Sequence, residues 1–392
     1  MSIQPIDNDE AVVQTPLLFE PISFRSMTLR NRIVVSPMAM YSAHDGFADD
    51  FHLVHLGRFA LGGAGLIFIE ATAITAQGRI TSGCNGLWLD AQVAQLKRIT
   101  DFLHRFGSAA GMQLAHSGWK GSTRRPWHGG TRLDEEDVKL RGEQTWPIVS
   151  VGDEAFDGLA PGPTALSEGD LAALLDQYRA ATRRVIAAGF DALEIHAAHG
   201  YLLHSFLSPI SNKRGDRYSG SIEGRMRFPL SVVEAVRAEW PADKPLFVRI
   251  SAVDGVEVGW TIEDSVTFAK ELASRGVDLV DCSTGGMKLP RDKNLVARTP
   301  GFQVPFAARI RKEAQIATMA VGLILEPRQA EAILEAGEAD LVAFAREMLA
   351  NPNFAAQAAL ELEGAAGWDL WSDRHRYWLE RRAKTLKRER RA

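Results

Sequence analysis

The chain has 392 residues, 46 % of them hydrophobic, and its 45 basic and 49 acidic side chains give a net charge of −4. A net acidic chain lacks the basic surface that nucleic acids need, and no run of about 18 apolar residues is present that could span a membrane. Two cysteines, Cys84 and Cys282, are too few for a disulfide framework or a cysteine-rich metal site, so the composition predicts a globular cytoplasmic enzyme.

The two ends of the chain differ in composition from its middle. Residues 1–16 are polar and acidic and lack an apolar segment, which predicts a disordered stretch rather than a secretory signal. Residues 381–392 are mostly Lys, Arg and Ala and are predicted as a basic tail, either the frayed end of a helix in solvent or a nucleic-acid-binding tail. Residues 17–380 are therefore predicted to form the folded domain.

Short apolar runs alternate with amphipathic stretches between these ends, as in a parallel sheet with crossover helices. The predicted strands are Ile33–Met38, Leu66–Glu70, Gly111–His116, Ala192–His196, Leu246–Ser251, Val277–Ser283, Ile316–Val321 and Asp340–Phe344. Helical periodicity is clearest from the N-cap candidate Ser167 to Ile186, and recurs in Thr261–Ser274 and Pro327–Ala336. Eight strand–helix units in about 350 residues predict a single α/β domain, a (β/α)₈ TIM barrel, with a doubly wound open sheet as the alternative.

The connection Ser117–Pro163 after the third strand is unusually long. It is rich in Gly, Pro, Trp and charged residues and has no clear helical period. Connections of this length are usually functional or disordered. We expect it to form a lid-like insertion over the carboxyl ends of the strands, where barrel enzymes place their active sites.

Polar side chains inside apolar runs mark candidate ligands, because burying a polar group without a partner is costly. Gln113 and Arg249 are donors that could hold a planar, electron-rich ligand, and a buried arginine favours an anionic form of it. The alternative is a structural Arg–Glu pair inside the barrel. Gly322 and Arg346 follow the seventh and eighth strands, where many barrels bind phosphate, although a turn glycine and a surface arginine would give the same pattern.

The segment His196-x-x-His199-x-Tyr201, after the fourth strand, is the sharpest local pattern. Two imidazoles could donate to one carbonyl oxygen if the chain turns between them, and Tyr201 could deliver a proton to a carbon atom. Zinc binding and simple core packing are the alternatives, and zinc is disfavoured because no third ligand stands out nearby. The absence of GxGxxG, GxxxxGK[ST] and GxSxG motifs disfavours a Rossmann unit, a P-loop ATPase and an α/β-hydrolase.

Several motifs together resemble the old yellow enzyme family of flavin-dependent ene-reductases, in its bacterial xenobiotic-reductase-like branch. They are Leu29–Ile33, Ser36–Met38, Gly63–Leu66, Gly78–Ile80, Gln113–His116, His196–Leu202, Ser211–Arg214 and Asp216–Ser221. The resemblance runs from Leu18-Phe19-Glu20-Pro21 to Trp378-Leu379-Glu380-Arg381. It implies a (β/α)₈ fold, bound FMN, and NADPH or NADH as the hydride donor.

The resemblance also implies a role for each site residue. The residues implied to bind FMN are Ser36, Pro37, Met38, Ala39, Ala71, Gln113, Arg249, Gly322, Ala345 and Arg346. His196 and His199 would bind the carbonyl oxygen of an α,β-unsaturated substrate, Tyr201 would protonate its α-carbon, and Tyr41 would contact it. The implied reaction is a ping-pong reduction of the C=C bond, with hydride passing through flavin N5.

The C-terminal segment is implied to act between subunits. Trp378 and Arg381 match a segment that in this branch often reaches the neighbouring active site of a homodimer or larger homo-oligomer. The alternative is that they only cap the last helix of their own barrel.

Three residues depart from the pattern of the family. Ala39 stands where this branch usually has Cys against the flavin, Ala345 replaces the usual Gly before the phosphate-binding Arg, and Trp119 replaces a common Arg. Ala39 puts the redox balance of the flavin in doubt and keeps open a flavin-dependent dehydrogenase or desaturase of a specialised pathway. A flavin-binding protein with little turnover and a metal-dependent barrel hydrolase are further alternatives.

Overall fold

The computed structural model describes residues 15–154, 162–287 and 296–389. Residues 1–14 of the predicted disordered segment and residues 390–392 of the predicted basic tail therefore lie outside the described residues. The strands are β1 (Ile22–Phe24), β2 (Met27–Leu29), β3 (Ile33–Val35), β4 (Leu66–Ala73), β5 (Ala109–Ala115), β6 (Val149–Ser150), β7 (Thr164–Ala165), β8 (Ala192–Ala197), β9 (Leu246–Ser251), β10 (Leu279–Ser283), β11 (Ala317–Val321) and β12 (Leu341–Phe344).

Helices follow most of the barrel strands and cover them from outside. They are α1 (Asp50–Leu61), α2 (Val93–Arg105), α3 (Glu135–Arg141), α4 (Glu168–Ala187), α5 (Leu202–Leu207), α6 (Ile222–Glu239), α7 (Ile262–Ser274), α8 (Val304–Ala314), α9 (Pro327–Glu335), α10 (Arg346–Ala350), α11 (Phe354–Leu362) and α12 (Asp373–Glu389). Strands β3, β4, β5, β8, β9, β10, β11 and β12 form one closed parallel barrel, in which β12 pairs with β3. This closure confirms the predicted (β/α)₈ barrel and excludes the open sheet.

The barrel interior changes character along its axis. Strand residues alternate between the helices and the interior, and at the amino ends the inward residues are apolar, with Phe68, Phe247 and Met319 among them. The β1–β2 hairpin packs against this end, and the ring centroids of Phe24 and Phe247 are 5.5 Å apart. Polar inward side chains follow towards the carboxyl ends, and they form the floor of the site described below.

The ends of the predicted elements agree with the structure where a local signal sets them. The Ser167 hydroxyl accepts from the Asp170 backbone N–H at 3.2 Å and starts α4 where its cap predicts. Strand β3 ends at Val35, three residues earlier than predicted, and the chain leaves the sheet before Pro37, which has no N–H to donate to a strand.

The long connection after β5 contains a short helix that its sequence did not predict. Helix α3 has seven residues between an Asp134 N-cap and Gly142, which is too short to show a period. Arg124 donates from Nε to both carboxylate oxygens of the buried Asp137, at 2.9 Å each. Residues 155–161 lie outside the described ranges, and the lid function of this connection stays a prediction.

The last helix makes little contact with the barrel. None of the residues of α12 is buried, and the side chain of Trp378 is 68 % exposed. The helix begins beside a groove lined by Arg30 and Phe106, which precede barrel strands and so lie at their amino ends. Across the described ranges, no helix combines the length and the apolar composition needed to cross a bilayer.

Candidate active site

A cleft of about 600 Å³ opens at the carboxyl ends of β10, β11 and β12. Its lining includes Gly322, Ala345 and the charged side chains of Arg298 and Arg346. Gly322 has φ +116°, and a Cβ there would lie 2.5 Å from Gln303 Nε2, so only glycine fits. The backbone is thus exposed to the cleft beside two guanidinium groups, which suits a phosphate group.

The wall of the site next to this cleft comes from the first two barrel strands. Pro37, Met38 and Ala39 follow β3, Ala71 lies in β4, and all four are half-buried at the carboxyl ends of their strands. Ser36 is buried, and its hydroxyl accepts from Arg249 Nη1 at 3.1 Å. This contact joins the first strand of the barrel to β9.

Gln113 and Arg249, predicted as buried ligand donors, both lie in a charged network on the barrel floor. Gln113 Nε2 donates to Glu194 Oε1 at 2.7 Å, and Arg249 Nε lies 3.1 Å from Asp281 Oδ2. The alternative of a structural ion pair is thus partly realised, but the partner of Arg249 is an aspartate. Glu194 and Asp281 were not singled out from sequence, although each is a polar residue in an apolar run, the same signal that marked Gln113.

His196 and His199 lie together at the end of β8, with ring centroids 5.1 Å apart. The chain turns sharply between them, because His199 has φ +59° and Gly200 has φ +74°. Lys120 Nζ donates to the carbonyl of His199, and the His199 N–H donates to Ser251 Oγ at 2.9 Å. The predicted turn between the two imidazoles is therefore present and held from two sides.

Hydrogen bonds assign the tautomers of both rings. Gln303 Nε2 donates to the Val321 carbonyl at 2.7 Å, which leaves Gln303 Oε1 to accept from Ser283 Oγ at 3.3 Å. Ser283 Oγ then accepts from His199 Nε2 at 2.7 Å, so His199 Nδ1 is an acceptor and lies 3.3 Å from His196 Nε2.

The remaining nitrogen of His196 fits the same assignment. Its Nδ1 accepts from the Ala198 N–H at 3.1 Å, so its single proton lies on Nε2. Burial, followed by the positive charge of Arg249, holds the pKa of both His196 and His199 well below the usual value. The pair is therefore neutral. Ser283 and Gln303 were missed from sequence, because they lie on different elements and share no local pattern.

Tyr201 lies against this pair, and its ring centroid is 4.9 Å from that of His196. Burial raises the pKa of Tyr201 well above its usual value, so the phenol keeps its proton. Lys120 Nζ lies 5.5 Å from the centroid of the Tyr201 ring, and burial lowers the pKa of Lys120 to about 8. Lys120 also donates to the Gly286 carbonyl and so ties the segment after β5 to the loop after β10.

Tyr41 lies in a strained turn after β3, with φ +52°. The turn is held by the Glu70 carboxylate, which accepts from the Met40 N–H, and by Arg125 Nε, which donates to the Tyr41 carbonyl at 3.0 Å. The exposed ring of Trp127 lies 6.2 Å from the Tyr41 ring, between centroids. An aromatic side chain of the long connection therefore approaches the turn after β3.

Two predicted site residues are not near the others within one chain. Trp378 and Arg381 lie on the exposed helix α12, where Arg381 Nη1 donates to Tyr377 Oη at 3.1 Å.

Trp119, one of the departures noted above, is 5 % exposed. Among the residues that the structure describes, no three His, Cys, Asp or Glu side chains group in a way that could hold a metal ion.

Comparison with known proteins gives a consistent result. Residues 17–364 match the NADH:flavin oxidoreductase / NADH oxidase family. An NADPH dehydrogenase of Bacillus subtilis is 42 % identical over 347 residues, which are 88 % of this chain and 95 % of the relative. Morphinone reductase in complex with tetrahydroNAD superposes with a TM-score of 0.71 at 27 % identity, over 89 % of this chain and 92 % of that one. The old yellow enzyme homologue from Zymomonas mobilis gives 0.69 at 26 %, over 89 % and 93 %.

Proposed function

Because this chain belongs to the NADH:flavin oxidoreductase / NADH oxidase family, that of the old yellow enzymes, we propose that it reduces the C=C bond of α,β-unsaturated carbonyl compounds. Its cofactor is FMN and its reductant a reduced nicotinamide dinucleotide. FMN, when bound, supplies a carrier that takes a hydride from NADPH or NADH at N5 and gives it to the β-carbon of the second substrate. All other steps depend on residues of the chain.

The residues present fit FMN at both ends. The backbone around Gly322, together with Arg346 and Arg298, would hold the phosphate in the cleft at β11 and β12. Gln113 and Arg249 would hold the pyrimidine edge above the barrel floor, where a positive side chain favours negative charge on the ring.

His196 and His199 are proposed to bind the substrate carbonyl: His196 supplies the N–H in the tautomers assigned above, and His199 would donate to the same oxygen only after its proton moves from Nε2, beside Ser283, to Nδ1. Both rings are neutral, and the single N–H of His196 is directed towards His199 at 3.3 Å. A carbonyl oxygen can replace the His199 nitrogen as the acceptor of that N–H. A donor that is already oriented stabilises the negative charge that develops on this oxygen when the β-carbon accepts hydride.

Tyr201 is proposed to give the α-carbon its proton. The phenol lies next to His196 and stays protonated at all physiological pH values, because burial raises its pKa. A weak acid is sufficient for this step, since an enolate carbon is a much stronger base than a phenolate. Tyr41 is proposed to contact the substrate from the turn after β3, close to Trp127.

The observation that supports this proposal most strongly is the grouping of two neutral imidazoles and a protonated phenol at the end of β8, next to Gln113 on β5 and Arg249 on β9. The test is a visible spectrum of the purified protein under argon, during addition of NADPH and then cyclohexenone. We expect the yellow colour to bleach with NADPH and to return with the enone. Bleaching without return would contradict enone reduction and favour the specialised dehydrogenase or the flavin-binding protein of little turnover.

We also propose that the enzyme is a cytoplasmic homodimer or larger homo-oligomer in which the C-terminal segment of one subunit reaches the neighbouring active site. Trp378 and Arg381 are exposed on α12, and the helix buries none of its own residues in a single chain. Aromatic and arginine side chains are enriched where proteins associate, which supports a role in a neighbouring site. The two buried, free cysteines are consistent with a reducing compartment.

A further inference from the structure

The barrel floor holds more negative than positive groups. Glu194 and Asp281 are both fully buried, and Arg249, 7 % exposed, is the guanidinium that lies beside Asp281. If both acids were ionised, the floor would carry a net negative charge below a cofactor whose pyrimidine edge itself becomes negative on reduction. Because burying an unpaired charge is costly, we expect one of the two acids to be protonated.

The ion pair identifies Glu194 as the neutral acid, since neither oxygen of Asp281 has a hydrogen bond within the described residues and what sets Asp281 apart is the guanidinium beside it. Glu194 Oε1 accepts from Gln113 Nε2 at 2.7 Å, whereas its Oε2 has no hydrogen-bond partner among the described residues. Asp281 has Arg249 Nε at 3.1 Å from its Oδ2. An ionised Glu194 would be a buried carboxylate with no cation paired to it, whereas a proton on Oε2 removes that charge.

We propose that Glu194 is a positioning residue for FMN: uncharged at neutral pH, it fixes the Gln113 amide and leaves Arg249 free to act as the positive partner of the pyrimidine edge. One hydrogen of Gln113 Nε2 donates to Glu194, so Gln113 Oε1 is left to accept from a ring N–H of the cofactor. Asp281 alone then shares the charge of Arg249. This proposal rests on the FMN cofactor and not on the reduction of enones.

The same arrangement predicts a pH dependence of FMN binding. The titratable groups that face Glu194 are Arg249 on β9, Asp281 on β10 and His196 on its own strand, and His196 is neutral. Burial and then the charge of Asp281, opposed by Arg249 and Gln113, raise the pKa of Glu194 to about 8; burial also raises the pKa of Asp281, but Arg249 beside it opposes that shift. Above that pH the floor gains a negative charge, and affinity for FMN falls.

The test compares the wild-type holoprotein with Glu194→Gln and with the matched surface control Glu335→Gln on the outer helix α9. A glutamine keeps the acceptor for Gln113 and replaces the proton on Oε2 with an N–H, so it mimics the neutral acid. The measurement is the FMN dissociation constant, from the rise in flavin fluorescence on dilution. We expect it to increase about 10-fold between about pH 7 and about pH 9 in the wild type and the control, and to stay constant in Glu194→Gln.

Two results would overturn the proposal. One is a Glu194→Gln protein that binds FMN much more weakly than the wild type at neutral pH, because a charge would then be needed. The other is a Glu194→Gln protein that keeps the wild-type pH dependence. Neither readout requires an enone, so a failure here is distinguishable from a failure of the proposed reaction.

Thermal unfolding supplies an independent check on the ionisation. The pKa of Glu194 in the folded state, about 8, exceeds the value of about 4.3 for an unfolded glutamate. The folded state therefore binds the extra proton between these values, and the wild type loses stability relative to Glu194→Gln as pH rises from about 5 to about 8. A difference in melting temperature that does not change with pH would contradict a neutral Glu194.

Discussion

Tyr201 is the residue proposed to deliver the proton, and its surroundings keep its phenol protonated. Burial raises the pKa of Tyr201, so the phenol is neutral at physiological pH. The Tyr201 ring packs against the His196 ring, and the planes of the two rings are 88° apart. We expect Tyr201→Phe to bleach with NADPH as fast as the wild type but to slow the return of colour with cyclohexenone about 10²- to 10⁴-fold. Stopped-flow absorbance measures both phases. An unchanged second phase would remove Tyr201 from the acid role.

His196 carries the second residue-scale prediction. Phenolates resemble the oxyanion of the reacting substrate, and the His196 Nε2–H is the donor assigned to that oxygen. We expect His196→Ala to weaken phenol binding about 10- to 100-fold, since a hydrogen bond to a charged group is lost. Titration of the long-wavelength band of the holoprotein with phenol gives the dissociation constant. Equal affinity in the variant would contradict the assignment.

At the scale of elements, the turn after β3 is supported from outside the barrel. Glu70 Oε1 accepts from Asn85 Nδ2 at 2.9 Å and lies 3.4 Å from His52 Nε2, while its other oxygen holds the Met40 N–H. Burial works in the opposite direction, but the hydrogen bonds and charges of Glu70 and Asp49 raise the pKa of His52. A buried carboxylate therefore links α1 to the turn that carries Tyr41.

This linkage predicts different effects for two substitutions. Glu70→Ala leaves the Met40 N–H without its partner, and we expect about 1–3 kcal/mol lower stability and about 10-fold lower kcat/KM for cyclohexenone. Glu70→Gln keeps one acceptor, and the Asn85 amide can rotate to present its unused oxygen, so we expect a much smaller loss. Steady-state kinetics and urea unfolding measure the two quantities. Similar losses in both variants would show that the carboxylate does not position the turn.

The sequence predicted most elements but only part of the site, for a physical reason. Strand β9 was predicted with its observed bounds, because Leu246–Ser251 is a buried apolar run after a proline. Gln113 and Arg249 were visible as polar residues within such runs. That Glu194 and Asp281 are partners of these two residues cannot be predicted until β8, β9 and β10 are known to be neighbours. The pairing of charges inside a barrel depends on the register between strands that are distant in sequence.

At the scale of the molecule, α12 is the element whose exposure a single barrel does not explain. We expect a protein ending at Ser372 to stay folded with FMN bound, because α12 buries none of its residues, but to be smaller in solution and less active with cyclohexenone. Light scattering after size exclusion gives the mass, and steady-state kinetics gives kcat/KM. Trp378→Ala with Arg381→Ala is the milder matched variant. An unchanged mass and rate would place the helix outside any subunit interface.

The hairpin β1–β2 has a consequence for the order in which the enzyme is assembled. Phe24 of the hairpin packs against Phe247 and closes the barrel at the amino ends of its strands. The interior of the barrel therefore opens at the carboxyl ends. The proton proposed on Glu194 must therefore exchange with solvent through this open end. Bound FMN would cover this open end. We therefore expect the ionisation of the barrel floor to be set in the apoprotein, before FMN binds.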